Sequence, residues 1–255
     1  DPSPLSPSCS FSSSPGSSLG WQRDFHPQGL KKLCWVLLAV AFCGQVFVLS
    51  AQFLFHHDRI FGLVRLFDLD REANIPTLIS CFLWWFAAVL AWCCGQFLAN
   101  RGWQWSLLAA AFAFLGVDEF IEIHEMLGQD LREHFHLKGA VRYAGIFPFM
   151  AGGFVFAWVV APWLLRLPRK LWTTMVLAGI LYVAGAGGVE MICGLVYEWE
   201  GDHRLLMGLL NTLQEMMEIL AVVLLNNVLL DARAEVRPSY RLSLGTVPPM
   251  QEVPL

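Results

Sequence analysis

Apolar runs of about twenty residues recur along the chain and alternate with short polar segments. A run of this length is long enough to cross the hydrocarbon core of a bilayer as a single α-helix. The pattern therefore predicts an all-α fold, a polytopic membrane bundle of about six transmembrane helices. The predicted spans cover residues 33–55, 76–98, 103–127, 143–167, 171–198 and 205–230.

The polar segments divide the chain further. Residues 1–29 are rich in Ser, Pro and Gly and contain no apolar core of a signal peptide, so they are predicted to form a flexible tail. Residues 30–231 then form the six-span membrane domain, and residues 232–255 form a second flexible tail. Residues 56–74 are charged with an amphipathic middle, which predicts a segment lying in the membrane interface. Residues 129–142 are predicted to be a polar loop.

Composition supports a membrane environment. The chain is 56% hydrophobic and 15% charged, whereas soluble domains contain about 25% charged residues. The lipid bilayer is therefore the expected surrounding, and a net charge of −4 gives no reason to expect nucleic acid as a partner. The seven cysteines form no C-x-x-C pair, which indicates small buried apolar residues.

Ionisable residues are concentrated at the end of the third predicted span. Asp118, Glu119, Glu122, His124 and Glu125 follow one another within ten residues of an otherwise apolar run. At 100° per residue, a continuous helix would place Asp118, Glu122 and Glu125 on one face. Such groups are costly in hydrocarbon, so the other spans are expected to supply partners.

Further acids lie inside the fifth and sixth spans, as Glu190, Glu215 and Glu218. At about 1.5 Å per residue, Asp118, Glu190 and Glu215 fall at a similar depth, roughly 12–15 Å below the loops. The third, fifth and sixth spans are therefore predicted to form one inward-facing wall. The Gly/Ala run at residues 184–188 would allow another helix to approach Glu190 closely.

These acids could be protonated, could line a wet cavity, or could be neutralised by a divalent cation. Carboxylates together with histidine suit Fe, Mn or Zn, and such a metal is the expected cofactor. Arg142, at the start of the fourth span, is the expected counter-ion. Glu122 and Glu218 are candidate general bases. The candidate metal ligands are Asp118, Glu119, His124, Glu125, Glu190 and Glu215.

Several functions are compatible with such a site. The first is a buried, outward-opening carboxylate/histidine site that binds a divalent metal and acts as a hydrolase or oxidoreductase on a lipid or small molecule. The second is a proton- or cation-coupled transporter. The third is an accessory subunit of a larger respiratory or photosynthetic membrane complex, and a homo-oligomer is also possible. The chain contains no G-x-S-x-G motif, P-loop or dinucleotide fingerprint, so the sequence does not decide whether it is an enzyme.

Four motifs resemble a family of uncharacterised multi-pass bacterial membrane proteins. Residues 67–77 resemble its D-x-x-x-E-x-N-x-P-T motif, and residues 118–125 resemble D-E-x4-H-E. Residues 185–191 resemble G-A-x-G-x-E-M, and residues 214–218 resemble E-E-x-L-E-M with Gln214 replacing the first Glu. The resemblance implies no established activity, but it implies that Glu72 and Asn74 belong to the same outward site.

The expected location is the bacterial cytoplasmic (inner) membrane. The short loop with Arg166, Arg169 and Lys170 holds the tightest basic cluster, and such loops face the cytoplasm. An even number of spans then places both termini in the cytoplasm and the acidic site toward the periplasmic side.

Overall fold

The computed structural model describes residues 27–57, 59–69, 71, 73–97, 102–143, 145–199 and 203–243, and these form helices and connecting turns with no strand. Nine α-helices are present in this part of the chain. They are α1 (Pro27–Leu49), α2 (Leu63–Phe67), α3 (Ile75–Phe97), α4 (Trp103–Ile121), α5 (Ile123–Phe135), α6 (Ile146–Leu164), α7 (Arg169–Val183), α8 (Glu190–Tyr197) and α9 (Arg204–Ser243).

Six stretches are long and apolar enough to cross a membrane, which confirms the predicted all-α polytopic bundle. Spans 1 to 6 are Pro27–Leu54, Ile75–Gln96, Trp103–Ile121, Ile146–Leu164, Arg169–Tyr197 and Arg204–Ala234. Two of them contain π-helical turns, Ser50–Leu54 in span 1 and Ala184–Val189 between α7 and α8. Most of the N-terminal tail, residues 1–26, lies outside the described residues, and α9 continues beyond the predicted end of the last span.

The start of span 2 follows from its sequence. Pro76 occupies the first turn of α3, where its missing N–H has no helical partner to lose. The side-chain oxygen of Asn74 accepts the backbone N–H of Thr77 at 2.9 Å, as an N-cap does. The Asn74 amide nitrogen donates to the carbonyl oxygen of Asp68 at 2.7 Å. Asn74 therefore ties the preceding loop to the helix start.

The prediction that span 3 runs unbroken to residue 127 is wrong. Helix α4 ends at Ile121, and Glu122 adopts a left-handed conformation with φ of 63° before α5 begins. The stripe of Asp118, Glu122 and Glu125 predicted on one helix face is consequently interrupted. The polar loop predicted for residues 129–142 is also wrong in its first half, because α5 extends to Phe135.

The segment predicted to lie in the interface contains one short helix. In α2, Val64 is buried against Val48 and Ala51 of span 1. Part of the apolar side of this segment is therefore covered by the protein's own first span, whereas Phe61, Leu63 and Leu66 are exposed.

Span 2 lies between spans 3 and 6, because α3 packs along both α4 and α9. Span 6 also packs against α1 and α7. The predicted wall of spans 3, 5 and 6 is therefore incomplete without span 2, which lies between spans 3 and 6. Hydropathy marks each span but does not determine which spans are neighbours, so the sequence could not reveal this order.

Span 4 lies at the edge of the helical bundle. Only 11% of its most apolar stretch of 18 residues is buried within the protein. It contacts span 3 through two aromatic pairs, Phe114 with Phe149 at 6.0 Å and Trp105 with Trp163 at 5.0 Å between ring centroids. Its start lies against α5, where a side chain at Gly145 would collide with the His124 carbonyl oxygen. This close approach places α5 beside the beginning of span 4.

At the end of the bundle where span 1 begins and span 6 ends, an ion-pair cluster connects three spans. Asp231 of span 6 accepts hydrogen bonds from Lys31 of span 1 and from Lys170 of span 5, the latter at 3.0 Å. The acidic stretch lies at the opposite end, which we call the site end and define by residues 122–143, 145 and 198–199.

Candidate functional site

Asp118 and His124 form a hydrogen-bonded pair at the site end of span 3. One carboxylate oxygen of Asp118 lies 2.9 Å from His124 Nδ1, and the other accepts the His124 backbone N–H at 3.1 Å. Six residues along a regular helix would place the two on different faces. The left-handed Glu122 turns the chain back, so that His124 reaches the carboxylate. The pair is therefore a product of the helix break.

The pKa of His124 reflects this pairing. Burial disfavours the imidazolium, but the hydrogen bond and charge of Asp118, with the charges of Glu125 and Glu190, outweigh burial and raise the pKa to about 9. The Asp118 side chain is 5% exposed, whereas that of His124 is 28% exposed. His124 is thus a protonated, partly accessible group above a buried carboxylate at neutral pH.

His124 opens into a cavity of about 190 Å3 at the site end. The cavity is formed by the break after span 3, by α5, by the start of span 4 and by α8. Its lining includes acids from three of these elements and two arginines. The polar and charged lining residues are Glu122, His124, Glu125, Gln129, Arg132, Arg142, Tyr143 and Glu190.

Two further carboxylates lie deeper. Glu119 accepts a hydrogen bond from Ser80 of span 2. Glu218 of span 6 is 8% exposed and interacts electrostatically with Glu119, Glu190 and His124. Gln214, one turn before Glu218, donates a hydrogen bond to it, but the Glu218 Oε1 atom has no hydrogen-bond partner among the described residues.

The π-helical turn of span 5 brings the backbone close to Glu218. A side chain at Gly185 would lie 3.1 Å from the Gln214 carbonyl oxygen and 3.2 Å from Glu218 Cγ. The predicted close approach at the Gly/Ala run is therefore observed between spans 5 and 6. A π turn inserts an extra residue into a helix and often occurs at functional sites.

Glu215 of span 6 lies near Tyr182 of span 5. It interacts electrostatically with Tyr182 of span 5, as do Glu218, Glu119 and Asp118. The ring of Tyr182 also packs edge-on against Trp84 at 5.2 Å. Tyr182 therefore lies among the acids of two spans, 3 and 6.

Arg142, the expected counter-ion, lines the cavity and contacts Glu198 and Tyr197. Its NH1 atom lies 3.7 Å from Glu198 Oε1, and its guanidinium lies 3.6 Å from the centre of the Tyr197 ring. Of the two residues implied by the resemblance, Glu72 lies outside the described residues. Asn74 is an N-cap and is not among the residues that line the cavity.

Three site residues were missed at the sequence level. Ser80 and Tyr182 were overlooked because each is a single polar group within an apolar span. Tyr143 was treated only as the start of span 4, although burial raises the pKa of its hydroxyl and the adjacent Arg142 opposes that rise. A search for hydroxyl groups at the level of the acids would have found the first two.

The predicted metal ligands are not assembled as a metal shell. Among the described residues, no group of three or more His, Cys, Asp or Glu side chains is arranged to hold a metal ion. Asp118 is instead hydrogen-bonded to His124, and Glu119 accepts a hydrogen bond from Ser80. The site instead contains a line of interacting titratable groups. It begins with His124 and Asp118 at the cavity and continues through Glu190 to Glu218.

A family model described as "Domain of unknown function (DUF8692)" matches residues 32–232. The match includes spans 2 to 5, most of spans 1 and 6, and every residue of the site described above. No curated protein and no solved structure matches the chain.

Proposed function

Because the chain belongs to this family of unknown function, we propose from the geometry of its site that the protein is a proton-coupled membrane transporter. In this proposal, Asp118 and His124 exchange protons with the cavity. Glu190 and Glu218 then hold protons deeper in the membrane. The proposal favours the second of the functions expected from the sequence.

One observation carries the proposal, namely the line of titratable groups from the cavity to Glu218. His124 interacts with Asp118 and Glu190, and Glu218 interacts with Glu190 and His124 in turn. Chains of Asp, Glu and His inside the membrane are typical of proton relays in pumps and transporters. The unpartnered Oε1 of Glu218 supports its role as the end of the line, because a buried carboxylate oxygen without a donor favours the protonated group.

The other half of the bundle supports a pathway that is open at one end only. Beyond Glu218, span 6 continues with buried apolar residues such as Ile219, Val222 and Val223. The cluster of Lys31, Asp231 and Lys170 then fastens spans 1, 5 and 6 at the far end. A site closed on one side is expected of a transporter that alternates its access.

Proton flux into liposomes tests the proposal. The purified protein is reconstituted with a pH-sensitive dye inside the vesicles, and a pH gradient is imposed. Asp118→Asn is expected to reduce the flux by about a hundredfold, because the pair loses its carboxylate. Asp130→Asn, an exposed acid on α5, is the matched control and should leave the flux unchanged. Equal flux in the two variants would refute the proposal.

A divalent metal is the second candidate, and the geometry of His124 favours it. A metal-binding histidine commonly directs its other ring nitrogen to a carboxylate, as Nδ1 of His124 does to Asp118. Nε2 would then be the ligand, with Glu125 and Glu190 beside it, and Asp118 would orient the ring. A metal bound there would polarise a substrate group or activate water.

Elemental analysis of protein purified without chelators tests this candidate. A metal site predicts about one equivalent of Fe, Mn or Zn, which is lost in His124→Gln and retained in His134→Gln. Substoichiometric metal in the unaltered protein would exclude the candidate. A role as subunit of a larger complex stays a prediction, and the size of the particle released by mild detergent tests it.

A further inference from the structure

The cavity at the site end is lined by charges of both signs. Arg132 of α5 and Arg142 contribute cations that the chain of titratable groups does not use. Glu125 and Glu190 contribute carboxylates, both within electrostatic range of His124. A ligand that matches this lining needs an anionic and a cationic group.

Arg142 is held in place by an aromatic ring and by a long ion pair with Glu198. Its guanidinium stacks on the Tyr197 ring at 3.6 Å. In that ion pair, Glu198 Oε1 lies 3.7 Å from Arg142 NH1, which is too long for a hydrogen bond. Its buried Nε has no hydrogen-bond partner among the described residues. Arginine in this state is suited to bind an oxyanion through several N–H groups.

The size of the cavity limits the ligand. At about 190 Å3, it is smaller than the roughly 300–1,000 Å3 of pockets for drug-sized molecules. A ligand that fits this volume consists of a phosphate and a few further heavy atoms. The cavity lies where span 3 ends at Ile121 and span 4 begins at Ile146, and the ends of membrane spans are expected near the lipid head groups.

The lining also selects the kind of cation. A quaternary ammonium is usually bound by several aromatic rings, whereas Tyr143 is the single aromatic residue among the described residues that line this cavity. Carboxylates such as Glu190 instead suit a primary ammonium, which donates hydrogen bonds.

We infer that this cavity binds a phosphoethanolamine group, with its phosphate at Arg132 and Arg142 and its ammonium at Glu125 and Glu190. The group occurs in phosphatidylethanolamine in the membrane and in soluble glycerophosphoethanolamine. The inference rests on the proposed function in one respect, because it names a ligand for the same cavity. Its test measures ligand binding and not proton flux, so the two can fail separately.

Calorimetric titration of the purified full-length protein in detergent tests the inference. The probes are glycerophosphoethanolamine, glycerophosphocholine and inorganic phosphate. Glycerophosphoethanolamine is expected to bind at least about tenfold more tightly than either of the others, because only it satisfies both charges with hydrogen bonds. A second arm measures co-purified or added phosphatidylethanolamine by native mass spectrometry.

Two variants locate the site. Arg142→Gln is expected to weaken glycerophosphoethanolamine binding by about tenfold or more, since it removes a charge-assisted contact. Arg65→Gln, an exposed arginine of α2 at the same end of the bundle, is the control and should bind normally. Gel filtration and circular dichroism confirm that both variants fold. Glu190→Gln should weaken glycerophosphoethanolamine but not phosphate.

Each outcome supports or overturns the inference. Binding of phosphatidylethanolamine alone supports it with the lipid as source, and binding of the soluble probe supports it with a free ligand. Equal binding of all three probes, binding unaffected by Arg142→Gln, or no binding in either arm overturns it. Proton flux that depends on Asp118 in a protein that binds none of the probes would overturn the ligand while leaving the proposed function intact. Binding of glycerophosphoethanolamine by a protein that shows no Asp118-dependent proton flux would overturn the proposed transport and leave the ligand intact.

Discussion

At the scale of single residues, the account depends on the contact between Asp118 and His124. The sequence predicted that both residues belong to the site, because charged groups in an apolar span need partners. It did not predict that they pair with each other. Their separation of six residues implies different faces of a helix, and only the left-handed Glu122 brings His124 Nδ1 to 2.9 Å from the carboxylate.

The first prediction concerns the titration of His124. NMR of selectively labelled histidine should show its imidazole titrating near pH 9, because the hydrogen bond and charge of Asp118 outweigh burial. Asp118→Asn should lower the pKa of His124, since it removes the carboxylate charge. A pKa of His124 that is the same in both proteins would contradict the pairing.

The same shift has a consequence for stability. The pKa of His124 is raised in the folded protein from 6.5 to about 9. The stabilisation by its charged form is therefore full below 6.5 and is lost as pH rises through 9. The difference in unfolding temperature between the unaltered protein and His124→Gln should be largest in mildly acidic detergent solution and should shrink above pH 9. A difference that grows with pH would contradict this sign.

Glu218 gives a third prediction. Its Oε1 is buried without a partner, so the ionised side chain is a cost to the fold. Glu218→Gln should keep the free energy of unfolding or raise it by about 1 kcal/mol, as measured by chemical unfolding in mixed micelles. A marked loss of stability would show that the carboxylate holds the helices together rather than serving transport.

At the scale of elements, the sequence predicted the six spans well, because each is an apolar run long enough to cross a bilayer. It failed at the end of span 3. That end is determined by the Asp118 side chain, which accepts the backbone N–H of His124 beyond the break. Hydropathy does not report such a contact, so an unbroken helix to residue 127 was the simplest prediction.

The π-helical turn of span 5 provides a prediction at this scale. Gly185→Ala would bring a methyl group 3.1 Å from the Gln214 carbonyl oxygen and is expected to destabilise the protein by about 1–2 kcal/mol. Gly188→Ala, in the same turn, meets no atom within 4 Å and is the matched control. Unfolding temperatures in detergent compare the two, and equal temperatures would show that spans 5 and 6 do not approach closely there.

At the scale of the whole molecule, the sequence predicted which spans hold acids but not how the spans are arranged. The neighbours of each helix depend on contacts far apart in the chain, such as Trp84 of span 2 against Tyr182 of span 5. Depth counting placed Asp118 and Glu190 at similar levels, and both interact with His124. The placement of Glu215 at that level stays a prediction.

The arrangement as a whole is asymmetric. One end contains a cavity with charges of both signs, and the other is fastened by Lys31, Asp231 and Lys170 around apolar residues. This asymmetry is the reason for proposing transport, because a transporter exposes its site to one side at a time. The Asp231 cluster would have to open when access changes to the other side.

Proton uptake by reconstituted Glu218→Gln, measured beside Glu133→Gln, tests the central claim most directly. The two variants make the same chemical change, one at the buried end of the line of titratable groups and one on the exposed surface of α5. The account predicts that pH-driven flux is lost in Glu218→Gln and retained in Glu133→Gln. Undiminished flux in a correctly folded Glu218→Gln would contradict it.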